Sequence, residues 1–405
     1  MKKILKEVIK GEKRILIPLM ILSLALIFNF CISSVSAASG DLIYVNGSSG
    51  NDSWDGLSAT WTSGTNGPKL SIKNATGTVN NGGTVKIADG NYKGVNNTKI
   101  TINKNMAIIG QSQTGTVING TNSAWMFKVK RGVTVTIENL TLTNGNADNG
   151  GTIYNEGSLT VSGIRFTSNY AYAAGSAIYN HGTLAVIDSS FLNNDGDGAY
   201  GDPAYKCTAG AIYNDGDLVV TDSYFSENYV GYGNGAAIHN SGILTITSTD
   251  FIGNSAYGSG GAIYNDNILN IAHSEFIVNI AYAAGGAIYN IGALNLYGCY
   301  FTGNTAYGVG DPKYIPIAGG AIYNDYGGIY TVNSCYFELN KPQDIYNVTE
   351  MPSGDDKGLS DDHGNAVKAA SKTTKTIGLQ KTGVPFNYLI LAILLVIGGL
   401  VPRRK

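Results

Sequence analysis

A motif that returns about every 25 residues sets the architecture of this chain. Gly-Gly-Thr-Ile-Tyr-Asn at 150–155 recurs in close variants, and a second motif, Phe-x-x-Asn, keeps step with it. The first motif ends at Asn155, Asn180, Asn214, Asn240, Asn265, Asn290 and Asn324. The second begins at Phe166, Phe191, Phe225, Phe251, Phe276, Phe301 and Phe337. Two motifs in constant register over seven units are typical of a solenoid.

The residues within one unit predict short β-strands. In 260–279, Ile263 belongs to a first strand, Leu269 and Ile271 alternate with polar residues in a second, and Phe276 lies in a third. Gly, Asn and Asp stand between these strands, as expected at turns. Charged residues make up only 14% of the chain, which excludes coiled coils and helix bundles. The prediction is an all-β, right-handed parallel β-helix with three strands per coil.

The repeat also predicts the domain organisation. Residues 84–340 read as about ten coils, regular over 150–340, and residues 39–83 as an N-terminal cap. Two of the motif spacings are 34 residues, and each carries an insertion of nine residues, at Gly201 and at Gly310. Insertions at the same point of the unit indicate loops on one edge of the solenoid.

Both ends of the chain read as targeting segments. Six basic residues precede an apolar run and Ala37-Ala38, so residues 1–38 resemble a secretory signal peptide. At the other end, residues 384–405 hold a run without charges that closes on Arg403, Arg404 and Lys405, the pattern of a short transmembrane helix with a cytoplasmic basic end. Residues 341–383 read as a solvated linker.

Charge limits the class of ligand. Without the signal and the terminal basic residues the chain has 18 basic and 27 acidic residues, a net charge near −9. An acidic exterior disfavours nucleic acids and phosphates as ligands. No cluster of metal ligands is apparent, so no metal or cofactor is expected.

Two series of aromatic residues are the candidate binding sites. The first tyrosine stripe follows the inward Ile of each coil, so that alternation points it outward; it comprises Tyr154, Tyr179, Tyr213, His239, Tyr264, Tyr289 and Tyr323. The second tyrosine stripe lies three residues after Phe-x-x-Asn and comprises Tyr172, Tyr257, Tyr282 and Tyr307. Exposed aromatic rows bind sugars or proteins, or they simply cover the coil edge by packing on each other.

The Asn residues that end the first motif are interpreted as a structural asparagine ladder. Their amides would bond one another along the axis, and Asn also tolerates the left-handed backbone of a corner. Cys299 and Cys335 occupy equivalent positions in adjacent coils. They read either as a disulfide or as two small buried thiols.

Catalysis has little support in the sequence. The acidic residues of the coils shift position from one unit to the next. The four histidines have no evident acidic or Cys partner: His181, His239, His273 and His363. Asp202 and Asp311, in the two insertions, are four coils apart, too far for an acid–base pair. No catalytic residue is therefore assigned.

The paired motifs resemble the repeat of chlamydial polymorphic outer-membrane proteins, a pectin-lyase-like β-helix. Together with the N-terminal segments, they resemble more closely the adhesin-like surface proteins of methanogenic archaea. That resemblance rests on Tyr44-Val45, Gly50-Asn51-Asp52, Gly67-Pro68-Lys69, Gly83-Thr84-Val85 and Gly110-Gln111-Ser112. Leu379, Gln380, Lys381, Thr382 and Gly383 resemble a wall-sorting signal, although Gln380 stands where that signal has Pro.

These resemblances imply an exported cell-surface protein, anchored in the membrane or cell wall by its C-terminal tail. The expected function is non-catalytic adhesion, with glycans or proteins of other cells as partners. Two alternatives remain: a polysaccharide lyase or hydrolase on a β-helix scaffold, and a ligand-free structural protein of the cell envelope.

Overall fold

Parallel strands stacked coil upon coil make up the fold in the computed structural model, which describes residues 40–196, 210–308 and 319–349. All of these belong to one unit, Ala37–Gly358. The signal-like segment, the sorting-like motif and the apolar tail lie outside the described residues. Within those residues, no helix combines the length and the apolar character needed to cross a membrane.

Two of the four sheets carry the Leu and Ile positions of the repeat. The Leu sheet has 11 described strands: β1 Leu42–Val45, β2 Gly83–Ile87, β5 Met106–Gly110, β8 Thr134–Glu138, β12 Ser158–Ser162, β16 Thr183–Ile187, β20 Asp217–Thr221, β24 Ile243–Thr247, β28 Ile268–Ala272, β32 Ala293–Tyr297 and β36 Ile329–Asn333. The Ile sheet has ten: β4 Ile100–Ile102, β7 Phe127–Val129, β11 Ile153–Asn155, β15 Ile178–Asn180, β19 Ile212–Asn214, β23 Ile238–Asn240, β27 Ile263–Asn265, β31 Ile288–Asn290, β35 Gly319–Asn324 and β38 Gln343–Asn347.

The third sheet carries the Phe positions, and the fourth was not predicted. The Phe sheet has ten described strands: β3 Gly90–Lys93, β6 Thr116–Asn119, β9 Thr141–Thr143, β13 Arg165–Thr167, β17 Ser190–Leu192, β21 Tyr224–Ser226, β25 Asp250–Ile252, β29 Glu275–Ile277, β33 Tyr300–Thr302 and β37 Tyr336–Glu338. The short sheet has seven: β10 Asn146–Asn149, β14 Tyr170–Ala174, β18 Asp195–Gly196, β22 Tyr229–Val230, β26 Ser255–Ala256, β30 Ile280–Ala281 and β34 Thr305–Ala306. Three strands per coil was therefore wrong for the repeat region, which has four.

The prediction of a parallel β-helix of about ten coils is confirmed. Equivalent residues pair in register, for example Ile212 with Ile238 and Phe225 with Phe251. The Phe side chains are stacked with ring centroids 4.5–5.0 Å apart. From Phe166 to Phe301 they are fully buried, together with the Ile and Leu ladders, in one continuous core. Each coil thus buries its apolar face against identical residues in the next.

The pairing extends past both predicted limits of the β-helix. Strand β1 lies in the region predicted as a cap, yet it pairs with β2, and β38 lies beyond residue 340, yet it pairs with β35. Between β1 and β2 the helix α1, Ile72–Thr78, begins at the N-cap Ser71, whose hydroxyl accepts a hydrogen bond from the backbone N–H of Asn74. Ile72 and Ala75 anchor this helix in the core.

Left-handed backbone occurs at the corners, but not at the asparagine ladder. The residue before the Asn of Phe-x-x-Asn has a positive φ in every described coil, so the expectation that the ladder Asn residues use their tolerance of this conformation was wrong. Most of these positions hold Gly, Ser, Asn or Glu, whereas Val278 adopts φ 49° there. A β-branched residue in this region is strained.

Candidate functional site

The first tyrosine stripe forms one continuous stack on the outer face of the Ile sheet. Ring centroids of neighbours are 4.7–5.2 Å apart and the rings lie within 28° of parallel from Tyr154 to Tyr323. Each tyrosine is half-buried. Because neighbouring rings cover each other's faces, only the ring edges meet solvent. This geometry leaves no free face on which a sugar ring can stack.

Carboxylates hold the hydroxyl ends of this stack. The Tyr179 hydroxyl donates to Asp215 at 3.4 Å, and the Tyr289 hydroxyl donates to Asp325 in the same way. Burial and then the nearby Asp carboxylate raise the pKa of both phenols above the ordinary value of 10. The stripe is thus fixed by ring stacking and, at Tyr179 and Tyr289, by hydroxyl hydrogen bonds, which indicates a structural role.

Histidine and carboxylate meet where the sequence showed no pair. His181 Nδ1 lies 2.9 Å from both carboxylate oxygens of Asp215 in the next coil, so the expectation that His181 lacks an acidic partner was wrong. His239, buried within the stack between Tyr213 and Tyr264, has its Nε2 3.9 Å from Asp266. The contacts arise between coils, since the paired residues are 34 and 27 positions apart in the chain.

The second tyrosine stripe is more open to solvent. Tyr172, Tyr257, Tyr282 and Tyr307 are 38–54% exposed on and beside the short sheet. Tyr257 and Tyr307 flank Tyr282 at centroid distances of 5.4 and 5.3 Å. Tyr232, 38% exposed and 5.5 Å from Tyr257, extends the row. Sequence spacing missed Tyr232 because its coil is 26 residues long, which moves it one position further from Phe-x-x-Asn.

The asparagine ladder is hydrogen-bonded along its whole length. Each Nδ2 donates to Oδ1 of the equivalent Asn in the next coil at 2.6–2.8 Å, from Asn155 to Asn324 and on to Asn347. Asn155 to Asn324 are at most 1% exposed. A second, parallel ladder joins Asn169 to Asn340 through the Asn of Phe-x-x-Asn. Buried amides satisfied in this way stabilise the coil-to-coil contact and offer nothing to a ligand.

The two thiols substitute for hydroxyls in a further ladder. In earlier coils Ser223, Thr249 and Ser274 accept a bond from the preceding coil and donate to the carbonyl two residues back. Cys299 and Cys335, both free, make the equivalent contacts, with Cys299 N–H donating to Cys335 Sγ at 3.4 Å. The hydrogen bond from Cys299 lowers the pKa of Cys335 to about 7, and the pKa of Cys299 is raised in turn.

The described part of the chain contains no group of three or more His, Cys, Asp or Glu that could hold a metal ion. The candidate residues Asp202 and Asp311 lie outside the described residues.

Comparisons with known proteins support the repeat. Residues 248–266 and 298–325 match the sequence model of the Chlamydia polymorphic membrane protein repeat, as predicted from the paired motifs. No comparison supports the resemblance to surface proteins of methanogenic archaea, and no curated protein matches this chain.

Two solved structures are similar in part. ORF18 of Geobacillus virus E2 shares 17% identity over 68% of this chain, with a TM-score of 0.36, and the match spans 57% of the viral protein. The A-module of Azotobacter vinelandii mannuronan C-5 epimerase AlgE4 shares 13% identity over 66% of this chain and 89% of its own length, with a TM-score of 0.29.

Proposed function

We propose that this chain is an adhesin-like surface protein, a right-handed β-helix rod that binds glycans or proteins on other cells or surfaces without catalysis. A secretory signal at residues 1–38 exports it, and the C-terminal tail holds it in the membrane or cell wall. The matched repeat, which belongs to a family of membrane proteins, supports display at the surface.

The observation that carries this proposal is the second tyrosine stripe. Tyr257, Tyr282 and Tyr307 stand in three successive coils with 38–54% of their surface exposed. Tyr257 and Tyr282 stack at 5.4 Å and 22°, as the rings of the first stripe do, whereas Tyr282 and Tyr307 are tilted by 53°. The second stripe differs from the half-buried first stripe in its greater exposure. A row of accessible aromatic rings on a rigid scaffold is a feature of binding surfaces. We therefore assign adhesion to the second stripe and a structural role to the first.

Sedimentation with insoluble polysaccharides and whole cells tests the proposal. Residues 39–385 should co-sediment with at least one of these surfaces, and Tyr257→Ser with Tyr282→Ser should reduce the bound fraction. The matched control is Tyr300→Ser with Tyr336→Ser, because these tyrosines are 53% and 52% exposed on the Phe sheet. Equal loss in both double variants would refute the role of the second stripe, and no binding to any surface would favour the ligand-free envelope rod.

A further inference from the structure

A cleft of about 560 Å³ lies where the short sheet begins. Coils before β10 have no strand in this sheet, so β10 is its first strand. The backbone N–H of Asn146 in β10 donates to Ala124 O at 3.2 Å, and its Nδ2 donates to Asn122 O at 3.1 Å. These bonds attach the new strand to the loop of the preceding coil, and the step between them forms the cleft. Its volume is in the range of ordinary ligand sites.

Two aromatic rings stand at this cleft in positions suited to stacking. Trp125 is half-buried, and no other ring of the described residues stacks on it. Tyr172 is 40% exposed and is braced edge-on by Tyr170 at 4.9 Å and 83°. A β-bulge places Tyr172 and Ala173 of β14 opposite the single residue Asp148 of β10. Bulges of this kind redirect side chains beside functional sites.

Two lysines and the exposed carboxylate of Asp148 line the cleft. Lys99 is exposed, and its backbone N–H donates to Trp125 O at 2.9 Å, which places the two residues side by side. Lys128 lies at the end of the first tyrosine stripe, with Nζ 4.4 Å from the centre of the Tyr154 ring and 3.5 Å from Glu156. Lys128 is therefore held in place by a cation–π contact and by an ion pair that balances its charge, so Lys99 is the lysine of the cleft that can meet an anion.

The coils around the cleft are basic, whereas the repeats that follow them are acidic. Residues 84–165 contain eight Lys and Arg against four Asp and Glu, whereas residues 166–340 contain two Lys against 14 Asp and Glu. The screening length is about 8 Å at physiological ionic strength, so an anionic ligand feels the local charge and not the chain total. An anionic group is thus favoured at the N-terminal coils, where the cleft lies, and disfavoured along the repeats.

We infer that this cleft binds a short acidic saccharide, one that contains uronic acid residues. Trp125 and Tyr172 would stack on sugar rings, Lys99 would pair with a uronate carboxylate, and Asp148 with Asn149 would accept and donate hydrogen bonds to sugar hydroxyls. This inference rests on the proposed function, since it names a ligand class for the same surface protein. It places a second contact point upstream of the exposed Tyr257–Tyr307 row.

Calorimetry and tryptophan fluorescence with tetragalacturonate and cellotetraose test the inference on the full chain in detergent solution. Tetragalacturonate should bind saturably, weaken with salt, and bind more tightly than the neutral cellotetraose. Lys99→Gln should weaken binding by about fivefold at low salt, and Trp125→Ala by about tenfold. The matched charge control is Lys93→Gln, an exposed lysine outside the cleft.

The variant Trp125→Phe, which keeps an aromatic face, distinguishes loss of stacking on the ligand from a folding defect of Trp125→Ala. It should retain binding and lose the ligand-induced fluorescence change, because the other two tryptophans, Trp54 and Trp61, lie outside the cleft. Absence of tetragalacturonate binding overturns the inference, as does equal weakening by Lys99→Gln and Lys93→Gln. Equally tight binding of cellotetraose overturns the assignment of an acidic ligand.

The two proposals fail separately. Tyr257→Ser with Tyr282→Ser should leave tetragalacturonate binding unchanged while it reduces sedimentation with cells. If the cleft binds no uronide but the stripe variants still lose cell binding, only the cleft is refuted. If uronide binding is found and no cell or polysaccharide surface retains the protein, the adhesive function is refuted.

Discussion

A substitution in the asparagine ladder tests whether the direction of its hydrogen bonds, and not only the packing of its side chains, stabilises the rod. Asn265 Oδ1 accepts from Asn240 at 2.7 Å, while its Nδ2 donates to Asn290 Oδ1 at 2.7 Å and to Asn267 O at 3.1 Å. Asn265→Asp keeps the size of the side chain and the acceptor side, but it removes the donors. A carboxylate oxygen would then face Asn290 Oδ1 across the distance that is now a hydrogen bond.

The expected cost follows from complete burial, because Asn265 is 0% exposed. An uncompensated buried charge destabilises a protein by about 3–5 kcal/mol. Asn265→Ala removes the acceptor for Asn240 together with the donors, without adding charge. It should cost about 1–3 kcal/mol, the penalty for unsatisfied buried polar groups. The matched control is Asn295→Asp, since exposed Asn295 donates to Asn270 at 2.9 Å, and that substitution should cost less than about 1 kcal/mol.

Urea unfolding followed by circular dichroism gives the free energies, and hydrogen exchange locates the loss to the coils on either side of Asn265. Burial raises the pKa of an introduced Asp, so its destabilisation is full at neutral pH and declines as the pH falls and the carboxyl becomes a donor. An Asp variant no less stable than the Ala variant at pH 7 would contradict the role of ladder direction.

Three further predictions concern stability and reactivity. Val278→Asn should stabilise the rod by about 1 kcal/mol, since Asn tolerates the left-handed φ that strains Val. The control Val95→Asn, at an exposed residue without positive φ, should not stabilise it, and thermal unfolding compares the two variants. Iodoacetamide should alkylate Cys335 with a midpoint near its pKa of about 7 and spare buried Cys299, and peptide mass mapping that finds equal rates would contradict this. Burial and Asp325 raise the pKa of Tyr323 to about 12, and the pKa values of Tyr179 and Tyr289 are raised further. The contribution of these protonated tyrosines to folding stability is therefore full below about 10, the pKa of tyrosine in the unfolded chain, and is lost as the pH rises through 12. Phenolate absorbance and loss of β-structure should therefore rise together in alkaline titration, and phenolate formation without unfolding would count against it.

The apolar ladders could be predicted because a repeat fixes register. Once Ile263 and Ile288 occupy equivalent positions 25 residues apart, parallel pairing places one above the other, and alternation decides which face is buried. The short sheet could not be predicted in the same way. Strands such as Ser255–Ala256 contain two residues, too few for a period-two pattern, and their hydrogen bonds exist only because neighbouring coils align them.

For the tyrosines, the alternation of inward and outward residues along a strand predicts the face of the sheet but not the orientation of the rings. It places Tyr264 and Tyr289 outside the Ile sheet, as the structure has them, but it does not determine that their rings lie 5.0 Å apart and nearly parallel. Nor does it determine the exposed fraction of each ring, which separates the half-buried first stripe from the accessible second stripe. The contact of His181 with Asp215 was missed although the register contains it, since the two residues directly follow Asn180 and Asn214, which pair between adjacent coils.

The cleft was not predicted from the sequence, because the net charge of the whole chain and the regular repeat of the later coils do not describe the N-terminal coils. A net charge near −9 disfavours anionic ligands only if charge is spread evenly, whereas the basic residues here are concentrated in the coils before Phe166 and the acidic ones follow. The loosening of the repeat before Gly150 read as irregularity, yet it is where the short sheet starts and where Trp125 and Tyr172 line the cleft. In a solenoid each coil contacts only its neighbours. In a coil that departs from the repeat, some side chains therefore lack an equivalent residue to pack against in the next coil. Such side chains are the ones that a ligand can contact.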